Sequence, residues 1–113
     1  MRTIIAGSRS ITDYQQLLLA ISRIDWTITS IVCGGARGVD SLGKKYADNN
    51  NIPIKFFIPD WARFSKGAGF IRNVFMAKNA DALIALWDGK SRGTKHMIDT
   101  AKDHNLRIFI LTI

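Results

Sequence analysis

Glutamate is missing from this chain: all nine acidic residues are Asp. Any mechanism that depends on a glutamate is excluded unless an Asp takes its place. Cysteine is almost missing too, and the single Cys33 excludes an internal disulfide framework. With only Cys33, His96 and His104 available, the ligand spacing of an ordinary zinc site is not met. No metal and no cofactor are expected. No apolar run approaches the roughly 18 residues of a membrane span. The start, Met1-Arg2 followed by a few apolar residues, is too short for a signal-peptide core. The expectation is a cytoplasmic protein without a membrane partner.

What is present points to a folded chain. Hydrophobic residues make up 47% and charged residues 22% of 113, the balance of a globular protein rather than a disordered one. The length suits one domain over residues 1–113. Sixteen Lys and Arg give a net charge of +7. That charge suggests an anionic partner without separating a nucleotide from a nucleic acid or from plain solubility.

Short apolar runs alternate with helical patterns. Thr3 to Ala6 reads as a strand, followed by Gly7-Ser8-Arg9-Ser10. Thr12 is the expected N-cap of a first helix, with Gln15 in the capping-box position and Leu17, Leu18, Ile21 and Ile24 at helical spacing. Ser30 to Cys33 reads as a second strand running into Gly34-Gly35-Ala36-Arg37-Gly38-Val39-Asp40, and Val39, Leu42 and Tyr46 mark a second helix. Pro53 to Ile58 is a third strand bounded by breakers. Residues 59–69 read as a loop. A helix is expected from about Gly69 to Asn79 with Phe70, Val74 and Ala77 on one face. Ala82 to Trp87 is a fourth strand, apolar enough to be covered on both faces. Asp88 to Gly93 is a turn, Met97, Ile98 and Ala101 pattern the last helix, and Arg107 to Thr112 is the last strand.

Strands alternating with helices imply an α/β, Rossmann-like three-layer sandwich with a five-stranded parallel sheet, and the right-handed crossover rule favours the order 3-2-1-4-5. Ligands of such sheets bind outside the carboxyl ends of the strands, at the switch point. Three turns there carry glycine directly after a strand: Gly7, Gly34-Gly35 and Gly89. Glycine allows close approach of the backbone to a ligand, and the free N–H groups of a following helix form an anion site. Arg9, Arg37, Arg72 and Lys95 each fall at or near an expected helix start, where the dipole disfavours cations unless an anion lies between them. The P-loop pattern is absent. Gly67-Ala68-Gly69-Phe70-Ile71-Arg72 lacks the last glycine of a dinucleotide fingerprint and lies far from the first strand, so it is read as chance.

These residues form an ordered set. Ile4 to Arg9, the Gly34–Asp40 run, Phe70-Ile71-Arg72-Asn73 and the stretch Trp87 to Thr94 together resemble the SLOG superfamily, which joins the Smf/DprA DNA-processing proteins to the LOG phosphoribohydrolases. The similarity is nearest to its small YspA-related branch, frequent in phages and bacteria, and covers essentially the whole chain. The resemblance implies a Rossmann-like fold that binds a nucleotide or nucleotide-derived ligand. By the same resemblance, Gly7, Ser8 and Arg9 line a first phosphate loop, and Gly34, Gly35 and Gly38 line a second, with Arg9, Arg37 and Arg72 neutralising the phosphate. Arg72, next to Asn73, matches the arginine that LOG enzymes place near the phosphoribosyl group, and Gly93 and Thr94 match their Gly-Thr motif. Relatives commonly form dimers, so the resemblance also implies a homo-oligomer.

The departures from LOG enzymes bear on activity. The Glu that follows their Gly-Thr by three residues is replaced by Met97, and two preceding glycines by Ser91-Arg92. A thioether can neither act as a base nor stabilise an oxocarbenium-like charge. Asp88 is the best-placed substitute, ahead of Asp40 and Asp99. If the protein is a hydrolase, Asp88 and Arg72 are the candidate catalytic residues. DprA-type proteins share the loops but carry additional domains, and single-stranded DNA binding is the third alternative.

Individual residues carry paired readings. Asp40 is a ribose ligand or a helix cap. Asp88 with Gly89 is a catalytic acid, a ribose ligand or an Asx-turn. Trp61 stacks on a base or closes the core beneath its loop. His96 faces the site or solvent, and Cys33 is a small buried hydrophobe. The segments 7–10, 34–40, 59–72 and 88–95 hold eight basic residues against three acids, a net +5, and the rest of the chain carries +2. The positive charge is thus concentrated where the fold would receive a phosphate. The reading that follows is a small protein that senses or sequesters a nucleotide or nucleotide-derived ligand at the carboxyl edge.

Overall fold

The computed structural model describes residues 1–35 and 38–113. Five parallel strands, β1 (Arg2–Gly7), β2 (Ser30–Cys33), β3 (Ile54–Phe56), β4 (Ala82–Trp87) and β5 (Arg107–Thr112), line up in the order β3-β2-β1-β4-β5. The expected α/β, Rossmann-like sheet and its strand order are present. The first crossovers run through helices α1 (Tyr14–Arg23) and α2 (Val39–Asn49), the later ones through α3 (Trp61–Phe64), α4 (Ala68–Lys78) and α5 (Arg92–Asp103).

Period-2 alternation divides the central strands between two cores. Ile4 and Ala6 of β1, Val32 of β2, and Leu83 and Ala85 of β4 pack with Met76 and Ala77 of α4 and Met97, Ile98 and Ala101 of α5. Ile5, Ile31, Cys33, Ile84 and Leu86 point the other way, onto Leu17 and Ala20 of α1 and Val39, Leu42 and Ala47 of α2. Both faces are therefore covered, which is why β4 reads as an almost uninterrupted apolar run. Each fully buried Ile or Leu contributes about 1.5–3 kcal/mol relative to an exposed one. Cys33 is fully buried in this second core.

Several local expectations need correction. The N-cap of α1 is Asp13, whose carboxylate accepts from the Gln15 N–H at 2.9 Å, and not Thr12. Strand β3 is three residues long rather than six. Pro53 offers only its carbonyl, to Ile31 N–H, and past Phe57, whose N–H donates to Cys33, strand β2 has ended. Residues 59–69 are not a plain loop: α3 is capped by Asp60, whose carboxylate accepts from Arg63 N–H, and a 3-10 turn covers Ser65–Gly67. Phe70 does not lie on the buried face of α4. That face is Ala68, Asn73, Met76 and Ala77, and the polar Asn73 within it hides the true phase of the helix from an apolar pattern. No helix among the described residues is long and apolar enough to cross a membrane.

Candidate functional site

The turns after β1, β2 and β3 and the first half of α4 enclose a cleft of about 590 Å³. A smaller pocket of about 110 Å³ lies beside it, against Ala6 and Gly7 of β1 and Thr94 of α5. Arg9, Arg72, Asn73 and Gly93 line both, so the two spaces share one cationic wall.

Arg72 is the centre of that wall. Its Nη1 donates to the Gly34 carbonyl at 2.7 Å and its Nε to Asn73 Oδ1 at 3.0 Å. The guanidinium occupies the space a side chain at residue 34 would need: a Cβ on Gly34 would stand 2.7 Å from Arg72 Cζ. A side chain at residue 34 would therefore push the guanidinium out of its present position. Burial lowers the Arg72 pKa, Asp40 opposes the shift, and the neighbouring charge of Arg9 adds to it. An anion in the cleft would offset the desolvation by direct attraction and counter the repulsion between the two guanidiniums. Arg72 lies in the second turn of α4, which begins at Ala68.

Gly38 fixes the other side. It caps α2 at φ 71°, and a Cβ there would meet the Arg9 carbonyl oxygen at 2.6 Å. The turn after β1 is thereby packed against the start of α2. Asp40 is not the cap of that helix but sits buried in its first turn, with Oδ2 facing Gly34. Arg37 lies outside the described residues.

The remaining expected residues divide into two groups. Gly7 and Thr94 line the smaller pocket, and Gly34 and Gly35 line the larger cleft. Ser8, Asp88 and Gly89 line neither of the two. The buried Ser8 hydroxyl accepts from Asp88 N–H at 3.2 Å. Asp88 Oδ1 accepts from the N–H groups of Lys90 and Ser91, both at 2.8 Å, so its carboxylate closes an Asx-turn. These bonds hold its pKa below the ordinary carboxylate value. Lys95 also lies apart, paired with Asp99 on the exposed side of α5. Met97 is buried in the core and borders the smaller pocket.

Among the other lining residues, only Trp61 was weighed from the sequence as a ligand contact, as a stacking surface for a base. Ile58, Pro59, Trp61, Lys66, Gly69 and Phe70 all border the larger cleft. Trp61 does not close the core; it is exposed on the rim. His96 faces neither open solvent nor the cleft. It is half-buried under Phe70, with ring centroids 4.2 Å apart, and its Nδ1 lies 3.1 Å from Asn73 Nδ2. The Lys66 charge was legible in the basic edge and stacking was one of the two readings of Trp61, but Ile58, Pro59 and Phe70 were not legible, because they come from the turn after β3 and from a face of α4 expected to be buried.

A parallel doubly wound sheet with glycine-bearing turns and paired arginines at its carboxyl edge defines a Rossmann-like protein with a cationic cleft. Residues 1–64 match the model of the YspA, cpYpsA-related SLOG family (YAcAr), and the chain belongs to that family. No curated protein and no solved structure matches the chain significantly. Membership supports a nucleotide-related binding role in general.

Proposed function

We propose that this protein binds a nucleotide or nucleotide-derived ligand in the cleft at the carboxyl edge, and that it senses or sequesters the ligand rather than cleaving it. The observation that carries this reading is Arg72. A partly buried guanidinium, held by Gly34 and Asn73 beside a second guanidinium at Arg9, is a preformed anion receptor. The backbone of Gly34 and Gly35 borders the same space. Against hydrolysis stand Met97, an apolar thioether bordering the smaller pocket where the relatives' Glu would lie, and the Asp88 carboxylate, whose Oδ1 accepts from two backbone donors and which lines neither pocket.

Calorimetry against a nucleotide panel that includes cyclic nucleotides and ADP-ribose tests the reading. At least one member should bind, and Arg72→Met should weaken it by about tenfold or more, the worth of hydrogen bonds to a charged group. Folded protein that binds nothing in the panel would overturn it. Release of free base from a nucleoside monophosphate, read by chromatography, would replace binding by N-glycosidase activity. Binding of single-stranded DNA with a steep salt dependence would point instead to nucleic acid.

A further inference from the structure

Part of the wall of the cleft is apolar and exposed. Ile58 is 67% exposed, Trp61 54% and Phe70 48%, and all three border the one cleft. Apolar side chains of this size gathered in a concave space that cations also line fit a ligand that is anionic at one end and flat and apolar at the other.

Local structure holds Trp61 in that wall. It is the first residue of α3, set by the Asp60 cap. At the other end of α3, Ser65 adopts φ 51° and ψ −128°, and its N–H donates to the Trp61 carbonyl. A non-glycine residue in this region is strained, and such strain persists only where the surroundings enforce it. The bend at Ser65 brings the next residue, Lys66, to the same cleft as Trp61. The indole lies along the start of α4, with Cη2 3.9 Å from the position of a Cβ on Gly69. A residue larger than Ala at position 69 would press on it.

We propose that Trp61 is the base-stacking platform of the cleft, receiving the planar ring of a nucleotide whose phosphate lies between Arg9 and Arg72. This rests on the nucleotide reading above and assigns its aromatic subsite. A π-face accepts any base, so Trp61 contributes affinity without selecting base identity.

The test measures AMP, CMP, ADP-ribose and base-free ribose 5-phosphate against the full chain, Trp61→Ala and Trp61→Phe. The expected result is at least about a fivefold loss of nucleotide affinity in Trp61→Ala, for purine and pyrimidine alike, with partial recovery in Trp61→Phe. Ribose 5-phosphate should bind all three equally. Nucleotide should quench tryptophan fluorescence in the parent protein, and Trp61→Phe should lose that quench while Trp26 and Trp87 remain. If nucleotides bind the parent and Trp61→Ala loses nothing relative to ribose 5-phosphate, the platform is overturned while the cleft stands. If only ribose 5-phosphate binds the parent, the platform falls and the cleft remains an anion site. If none of the four binds, both fall.

Discussion

Asn73 Nδ2 stands 3.1 Å from His96 Nδ1. The amide can donate there only while Nδ1 carries no proton. The opposite end of the same amide accepts from Arg72, so His96 helps to hold the side chain that aims the cleft's central cation. Burial lowers the His96 pKa from its ordinary 6.5, and Asp99 opposes the shift.

As pH falls through 6.5, the unfolded chain therefore takes up this proton before the folded one. Stability should be complete above 6.5 and decline as pH drops toward the lower folded value. Urea midpoints between about pH 7.5 and pH 5 should fall in the parent and fall less in His96→Gln, whose Oε1 still accepts from Asn73. An identical slope in the two proteins would remove His96 from this role.

The two glycines Gly38 and Gly67 should respond oppositely to alanine. At Gly38 the backbone is at positive φ and a Cβ would collide with the Arg9 carbonyl. Gly38→Ala should cost more than about 1 kcal/mol. Gly67 has helical φ and ψ and open space around it. Gly67→Ala should be neutral or stabilise by about 0.4–1 kcal/mol. Chemical denaturation of the two variants decides it, and equal losses would contradict the geometry.

Cys33 should be inert in the folded protein. It is fully buried, and burial raises the thiol pKa, reinforced by the charge of Asp40. The thiolate is the reactive species, so alkylation should be slow in buffer and rapid in urea, as read by mass spectrometry. Prompt labelling of native protein would show that β2 opens readily.

Asp81 joins the start of β1 to the turn before β4, accepting from the backbone and guanidinium of Arg2. The Arg2 bonds hold its pKa at about 2. This stabilisation is present above the ordinary value of 3.8 and is lost as pH falls from there toward 2. Both side chains are substantially exposed, so Asp81→Asn should cost less than about 1 kcal/mol at neutral pH. Acid unfolding of the variant should be flatter below pH 4 than that of the parent, by circular dichroism.

The sheet was legible because its strands are short apolar runs separated by glycine and polar turns, and because crossover handedness leaves few orders. Gly7, Gly34, Arg9 and Arg72 were legible as chemistry: glycine where the backbone must come close, arginine where charge gathers. The four-residue α3 was not, since one turn is too short for periodicity to register. The face of α4 was misread because a buried Asn73 serves the site rather than the core. Thr12 and Asp13 are both capping residues, and only the structure shows which carboxylate or hydroxyl meets Gln15 N–H. Trp61 could be read as core or rim because an indole suits either environment.

The pairing of β1 with β4 has a consequence for how the protein assembles. Arg2 and Asp81, at the start of that pairing, are 79 residues apart in sequence. The pairing of β1, β2 and β3 needs only the first half of the chain, and so does the turn that carries Arg9. Arg72, Asn73 and Gly93 come later, and α4 is anchored by packing on β1 and β4. The cleft is therefore complete only once that long loop is closed, at an entropic cost. A ligand that bridges Arg9 and Arg72 would bind only the closed chain, and by mass action it would act as a clasp holding the two halves together.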